Sequence, residues 1–176
     1  PITGVDYCAA DPSSAEAEFC LETSIDYSNV VIRIDSGYDV ITGEPFLGQL
    51  SRRVNAENQD EVTNSVVSPI TSLLTNVEDE GQQETLLNAL GMAESDLDVD
   101  YLDDSTGSVN APLLNTALKI HKVVSVLSDR LTDTYTEIGE DFGTPDDASS
   151  AVYPTLAEQI IGAGDNISLE DVLEDE

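Results

Sequence analysis

The hydrophobic positions of this chain fall into one long helical series and several shorter ones. Leu113, Ala117, Ile120, Val124, Leu127, Leu131 and Ile138 recur at alternating steps of four and three, with only Thr134 polar in the series, while Leu114, Leu118 and His121 widen the stripe. The spacing predicts a helix between Asn110 and Gly139: Asn110 is the N-cap, Pro112 sits in the first turn where its missing N–H is harmless, and Gly139 is the stop. Upstream, Ser68 as cap, Pro69 as first helical residue and an apolar face of Ile70, Leu73, Leu74 and Val77 predict a short helix. Glu80 to Leu90 reads as another, with Leu86, Leu87 and Leu90 inward and Gly91 closing it. Beyond Gly139 the composition is that of a Gly, Pro and Asp-rich loop through Ser150. Pro154 then opens a short helix ending near Gly162, and Ser168 with Asp171 resembles a capping box for a last turn.

The first third has a different texture. Val30, Val31, Ile32 and Ile34 form the best strand run, closed by the turn residues Asp35-Ser36-Gly37, and a second strand is expected over Phe46 to Val54. Between them Gly37, Gly43 and Pro45 predict a shaped loop. Residues 1 to 28 show no helical period; Asp11-Pro12-Ser13-Ser14 reads as a turn, with short strands near Val5 and Phe19. Asn55 to Thr63 reads as a polar linker. The expected fold class is α+β: a small β lobe over residues 1–54, then a helical bundle over 55–176 centred on the long helix. A chain of 176 residues has enough material for one substantial core, so the two parts are expected to pack as one globular unit.

Cys8 and Cys20 are the only cysteines. Their separation is too wide for a CxxC redox pair, and no second pair completes a zinc site, so they predict one disulfide stapling the β lobe, worth about 3 kcal/mol on the loop-entropy account. A disulfide favours an oxidising compartment. The expectation is therefore an exported, extracellular or cell-surface chain whose leader has been removed. No run approaches the roughly 18 apolar residues of a membrane span.

Charge narrows the partners. Thirty-six Asp and Glu stand against six Lys and Arg, a formal net charge of −30. The expectation is no nucleic-acid partner, and an anionic membrane surface is disfavoured, because such a field repels polyanions. Three readings of the excess stay open: a solvated acidic surface, adaptation to salty water, and calcium, which takes its ligands from carboxylate and carbonyl oxygens. Asp96, Asp98 and Asp100 alternate like the first ligands of a calcium loop, and Asp103 and Asp104 add carboxylates. Tyr101 and Gly107 stand where an EF-hand needs Gly and Glu, so the alternative is an extended acidic segment with Leu97 and Val99 turned inward. Glu140, Asp141, Asp146 and Asp147 form a comparable candidate.

Catalytic signals are weak by comparison. His121 is the only histidine and lies at the margin of an apolar stripe, as a packed core residue does. No serine occupies a nucleophile-elbow sequence. Among 36 acids some close pair is inevitable, and three Phe with no Trp offer little of a sugar-stacking platform. Asn166-Ile167-Ser168 is a glycosylation sequon.

Two stretches carry a family resemblance: Gly37-Tyr38-Asp39-Val40-Ile41-Thr42-Gly43-Glu44-Pro45-Phe46, and Val66-Val67-Ser68-Pro69-Ile70-Thr71-Ser72-Leu73-Leu74. With Asn88-Ala89-Leu90-Gly91 and the helix from Ala111, this order resembles a module of exported calcium-associated adhesins, surface repeat proteins and lipoproteins of marine bacteria, over roughly residues 37 to 135. Such modules often place an Asp and Asn-rich calcium hairpin between two upstream cysteines. Here the residues between Cys8 and Cys20 depart from that pattern. The resemblance implies a surface or matrix role without catalysis. The expected function is a non-enzymatic extracellular structural or adhesion subunit, calcium-stabilised, acting by self-assembly or surface contact, with strand addition at an open sheet edge as one route. The alternatives are a glycan- or protein-binding module of a larger surface protein, and a secreted hydrolase using acidic residues.

Overall fold

The computed structural model describes residues 28–35, 48–55, 66–101 and 110–163. Among the described residues the fold is α+β: a two-stranded antiparallel sheet followed by four α-helices. Strands β1 (Ser28–Asp35) and β2 (Gln49–Asn55) pair so that Ile34 faces Leu50, Arg33 faces Ser51 and Val31 faces Arg53. Directly opposite residues share a face of the sheet. One face therefore carries Arg33, Gln49, Ser51 and Arg53, and the other carries Val30, Ile32, Ile34, Leu50 and Val54 together with Arg52. The disulfide expected between Cys8 and Cys20, the loop at 37–45 and the carboxylates of Asp103 and Asp104 lie outside the described residues, as do the sequon at Asn166 and the cap at Ser168.

Helix α1 (Pro69–Thr75) begins as its sequence requires. The Ser68 hydroxyl accepts from the Thr71 amide at 3.2 Å, and the Thr71 hydroxyl accepts from the Ser68 amide at 2.9 Å, a reciprocal cap with Pro69 just inside it. Asp79 caps α2 (Glu80–Ala89). Gly91 ends it with φ near +69°: Met92 N–H reaches back to the Leu87 carbonyl and Gly91 N–H to Asn88. The same closure ends α3 (Ala111–Glu137) at Gly139, where Glu140 N–H bonds the Tyr135 carbonyl. Asn110 caps the start of α3, as its position before Pro112 predicts.

The core gathers α1, α2, α3 and α4 around Leu73, Leu86, Ile120 and Val123, each at most 2 % exposed, with Tyr153 and Leu156 closing it from α4. Two expectations change here. Helix α4 runs from Pro145 to Ala163, so the segment read as a loop through Ser150 is mostly helix, and Pro154 lies inside the helix rather than at its start. Thr144 is the true beginning: its hydroxyl accepts from Asp147 N–H, and the Asp147 carboxylate accepts from the Thr144 amide and hydroxyl, both at 2.8 Å. Polar Asp and Ser residues obscured a helix that buries Ala148, Ser149 and Val152.

The second change is on α3. Leu113, Ala117, Ile120 and Val124 are buried as the period predicts, but Leu127 is 37 % and Ile138 65 % exposed, and Ser128 is the last buried residue. At 1.5 Å per residue, α3 spans about 40 Å and α4 about 28 Å. The last turns of α3 therefore overhang the core, covered in part by the edge-to-face contact of Tyr135 with Phe142 at 4.7 Å between ring centroids.

Candidate functional site

The chemistry that organises this molecule is a set of hydroxyl groups where sheet meets helices. Successive strand residues turn their N–H and C=O to opposite edges. On β2, residues 49 and 51 turn theirs away from β1, and side chains rather than a third strand receive them. Ser51 N–H donates to the Ser72 hydroxyl at 2.8 Å, Ser51 C=O accepts from the Thr71 hydroxyl at 3.0 Å, and Gln49 N–H donates to the Ser149 hydroxyl at 3.0 Å. Ser72 and Ser149 are anchored in turn to the carbonyls of Ser68 and Asp146. Ser51, Ser68, Thr71, Ser72 and Ser149 are all buried, so each of these bonds satisfies a group that water does not reach.

Two arginines on opposite faces of β2 lock the same joint. Arg52 donates to the carbonyls of Val66 at 3.1 Å and Leu97 at 2.8 Å and pairs with Asp98. Arg53 donates to the Thr75 carbonyl at 3.1 Å, at the end of α1 where unpaired carbonyls favour a cation. Tyr153 is buried beside Ser72: burial pushes its phenol up to about 12, against a partial offset from the Ser72 hydroxyl. Burial likewise raises the Tyr101 phenol, the Asp100 charge adds to it, and the Ser68 hydroxyl partly offsets both. The phenols stay protonated at neutral pH.

Next to this joint, one face of the sheet, the end of α1 and the first turns of α4 enclose a polar cleft of about 300 Å³. Arg33 and Gln49 come from the sheet, Asn76 from the end of α1, and Asp146, Asp147, Ser150 and Tyr153 from α4. Several of these side chains are already half committed. Gln49 donates its amide to Asp35, Asn76 donates its amide to the Ser72 carbonyl at 2.7 Å, and Ser150 donates its hydroxyl to the Asp147 carbonyl at 3.0 Å. Hydrogen bonds from Thr144 hold the exposed Asp147 carboxyl below its usual 3.8.

The acidic positions singled out from the sequence are mostly used inside the protein. Glu94–Asp98 is a 3-10 helix, not an extended segment; Leu97 is half-buried, whereas Val99 is 36 % exposed rather than turned inward. Asp96 accepts from the Ala93 amide at 2.8 Å, Asp98 takes Arg52, and Asp100 stands exposed beside Tyr101. Asp141 accepts from the Gly143 amide at 2.9 Å. Among the described residues no group of three or more His, Cys, Asp or Glu side chains is gathered to hold a metal ion. His121 is half-buried on α3. No described helix is long and apolar enough to cross a membrane.

Sequence reasoning missed the cleft and the hydroxyl joint. Their residues come from elements far apart in the chain, and serine gives no periodic signal. The one local hint was Thr144-Pro145-Asp146-Asp147, whose cap-then-proline order marks a helix start. Comparison with protein-family models, with curated proteins and with solved structures finds no match for this chain.

Proposed function

We propose that this chain is a non-enzymatic extracellular structural or adhesion subunit that acts by self-assembly or surface contact and is stabilised by calcium. The observation that carries the reading is the overhang of α3, where Leu127 and Ile138 put apolar surface outside the core of a chain with net charge −30. Leu118 and Val99 are exposed as well, but Leu127 and Ile138 lie on one face of the overhang, and contact is expected there. The extracellular setting rests on the cysteine pair and on the resemblance to exported surface modules. Strand addition does not use the outer edge of β2 at Gln49 and Ser51, which side chains of α1 and α4 occupy. Calcium supplies counter-charge to the remaining acids.

Electron micrographs of the native material test the assembly: an ordered filament, lattice or matrix supports it, and a field of separate monomers at every concentration refutes it. Calcium is tested by melting against sodium chloride at matched ionic strength. Binding to the folded state alone raises stability by about 2.7 kcal/mol at a hundredfold excess over the dissociation constant. Equal stabilisation by both salts removes calcium from the account and leaves screening.

A further inference from the structure

The polar cleft beside the hydroxyl joint is a concave surface that self-assembly through α3 does not use. Its hydrogen-bonding capacity is lopsided. Asn76 spends one of its two amide N–H groups on the Ser72 carbonyl and keeps the other together with its side-chain oxygen; Ser150 spends its proton on the Asp147 carbonyl and keeps its lone pairs. Asp146 and Asp147 bring carboxylates. Pro154 has no N–H, so the Ser150 carbonyl one turn earlier lacks its helical donor. Against these acceptors stands one cation, Arg33, which is exposed and which no hydrogen bond or ion pair engages among the described residues.

We propose that this cleft is a saccharide site, in which the hydroxyls of one or two neutral sugar residues donate to Asp146, Asp147 and Asn76 and accept from Arg33. The alternatives fail on charge or polarity. An anion meets two carboxylates on a chain of net charge −30, and an apolar ligand meets polar groups left without partners. A lone cation satisfies the carboxylates but faces Arg33. A hydroxyl both donates and accepts, so a vicinal diol suits carboxylate acceptors set beside the remaining amide N–H groups of Gln49 and Asn76 and the planar fork of Arg33. A volume of about 300 Å³ lies at the small end of ligand sites, which limits the ligand to a short stretch of glycan.

Saturation-transfer difference NMR on the whole chain tests the site, with glucose, galactose, mannose and their disaccharides at millimolar concentration as probes and glycine as the zwitterionic comparison. The expected result is transfer to at least one saccharide. In Arg33→Ala, and separately in Asp146→Asn, binding weakens by about tenfold, the loss of one charge-assisted hydrogen bond. Lys122→Ala, on the exposed face of α3, leaves binding unchanged, and circular dichroism shows all three variants folded. The proposal is overturned if no saccharide in the set binds, if binding survives both cleft substitutions, or if glycine binds and the saccharides do not. Sedimentation of the same variants keeps assembly separate, since neither cleft substitution alters the α3 overhang.

Discussion

Replacing Ser72 by alanine tests the joint between sheet and helices at its most buried point. The Ser72 hydroxyl is fully enclosed, accepts from Ser51 N–H at 2.8 Å and donates to the Ser68 carbonyl at 2.8 Å. In Ser72→Ala the Ser51 carbonyl keeps the Thr71 hydroxyl, but the Ser51 N–H loses its acceptor in a place water does not reach. Stranding a buried donor costs about 1–3 kcal/mol, and the lost bond to Ser68 adds about 1 kcal/mol. The better helix propensity of alanine returns about 0.5 kcal/mol, so the expected destabilisation is about 1.5–3.5 kcal/mol. Urea unfolding followed by circular dichroism measures it, with Ser150→Ala as the exposed control, expected within about 0.5 kcal/mol of the parent. Hydrogen exchange adds the location: the Ser51 amide should lose protection well before the amides of α3. A Ser72→Ala protein as stable as the Ser150→Ala control, or one in which exchange rises evenly over all helices, refutes the joint as described.

Three further expectations follow from the same packing. Ile120→Ala should cost about 3–4 kcal/mol and Leu127→Ala about 1 kcal/mol or less in the same unfolding assay, because only the first is enclosed. Ser128→Ala should leave stability unchanged or raise it by about 1 kcal/mol, since its buried hydroxyl has no partner among the described residues and alanine is the better helix former. Tyr153 is raised in the folded chain from 10.0 to about 12, so its contribution is complete below pH 10 and is lost as pH climbs toward 12; alkaline titration of tyrosinate absorbance should show one late phenol, and Tyr153→Phe should lessen the fall in stability over that window.

The helices were legible where local chemistry and packing agree. Asn110 with Pro112, Ser68 with Pro69, and the glycines at 91 and 139 set boundaries through backbone hydrogen bonds made within a few residues of themselves. The period of α3 was legible too, but a period does not know where the neighbouring helix stops, and so Leu127 and Ile138 read as core. Helix α4 failed for the opposite reason. Its buried positions include Ala148 and Ser149, too small and too polar to mark a face, and Pro154 looks like a start when it is an interruption. The joint at Ser51, Ser72 and Ser149 joins residues as many as 100 positions apart. Only the fold brings them together, and the cleft depends on the same placement.

Sedimentation velocity over a wide concentration range, with calcium and with sodium chloride at matched ionic strength, tests the proposed assembly most directly. The expected result is a sedimentation coefficient that grows with concentration, more strongly in calcium, and a doubly substituted Leu127→Glu, Ile138→Glu protein that folds normally yet stays small. A single monomeric boundary at every concentration in both salts, or assembly undiminished by the two glutamates, contradicts it.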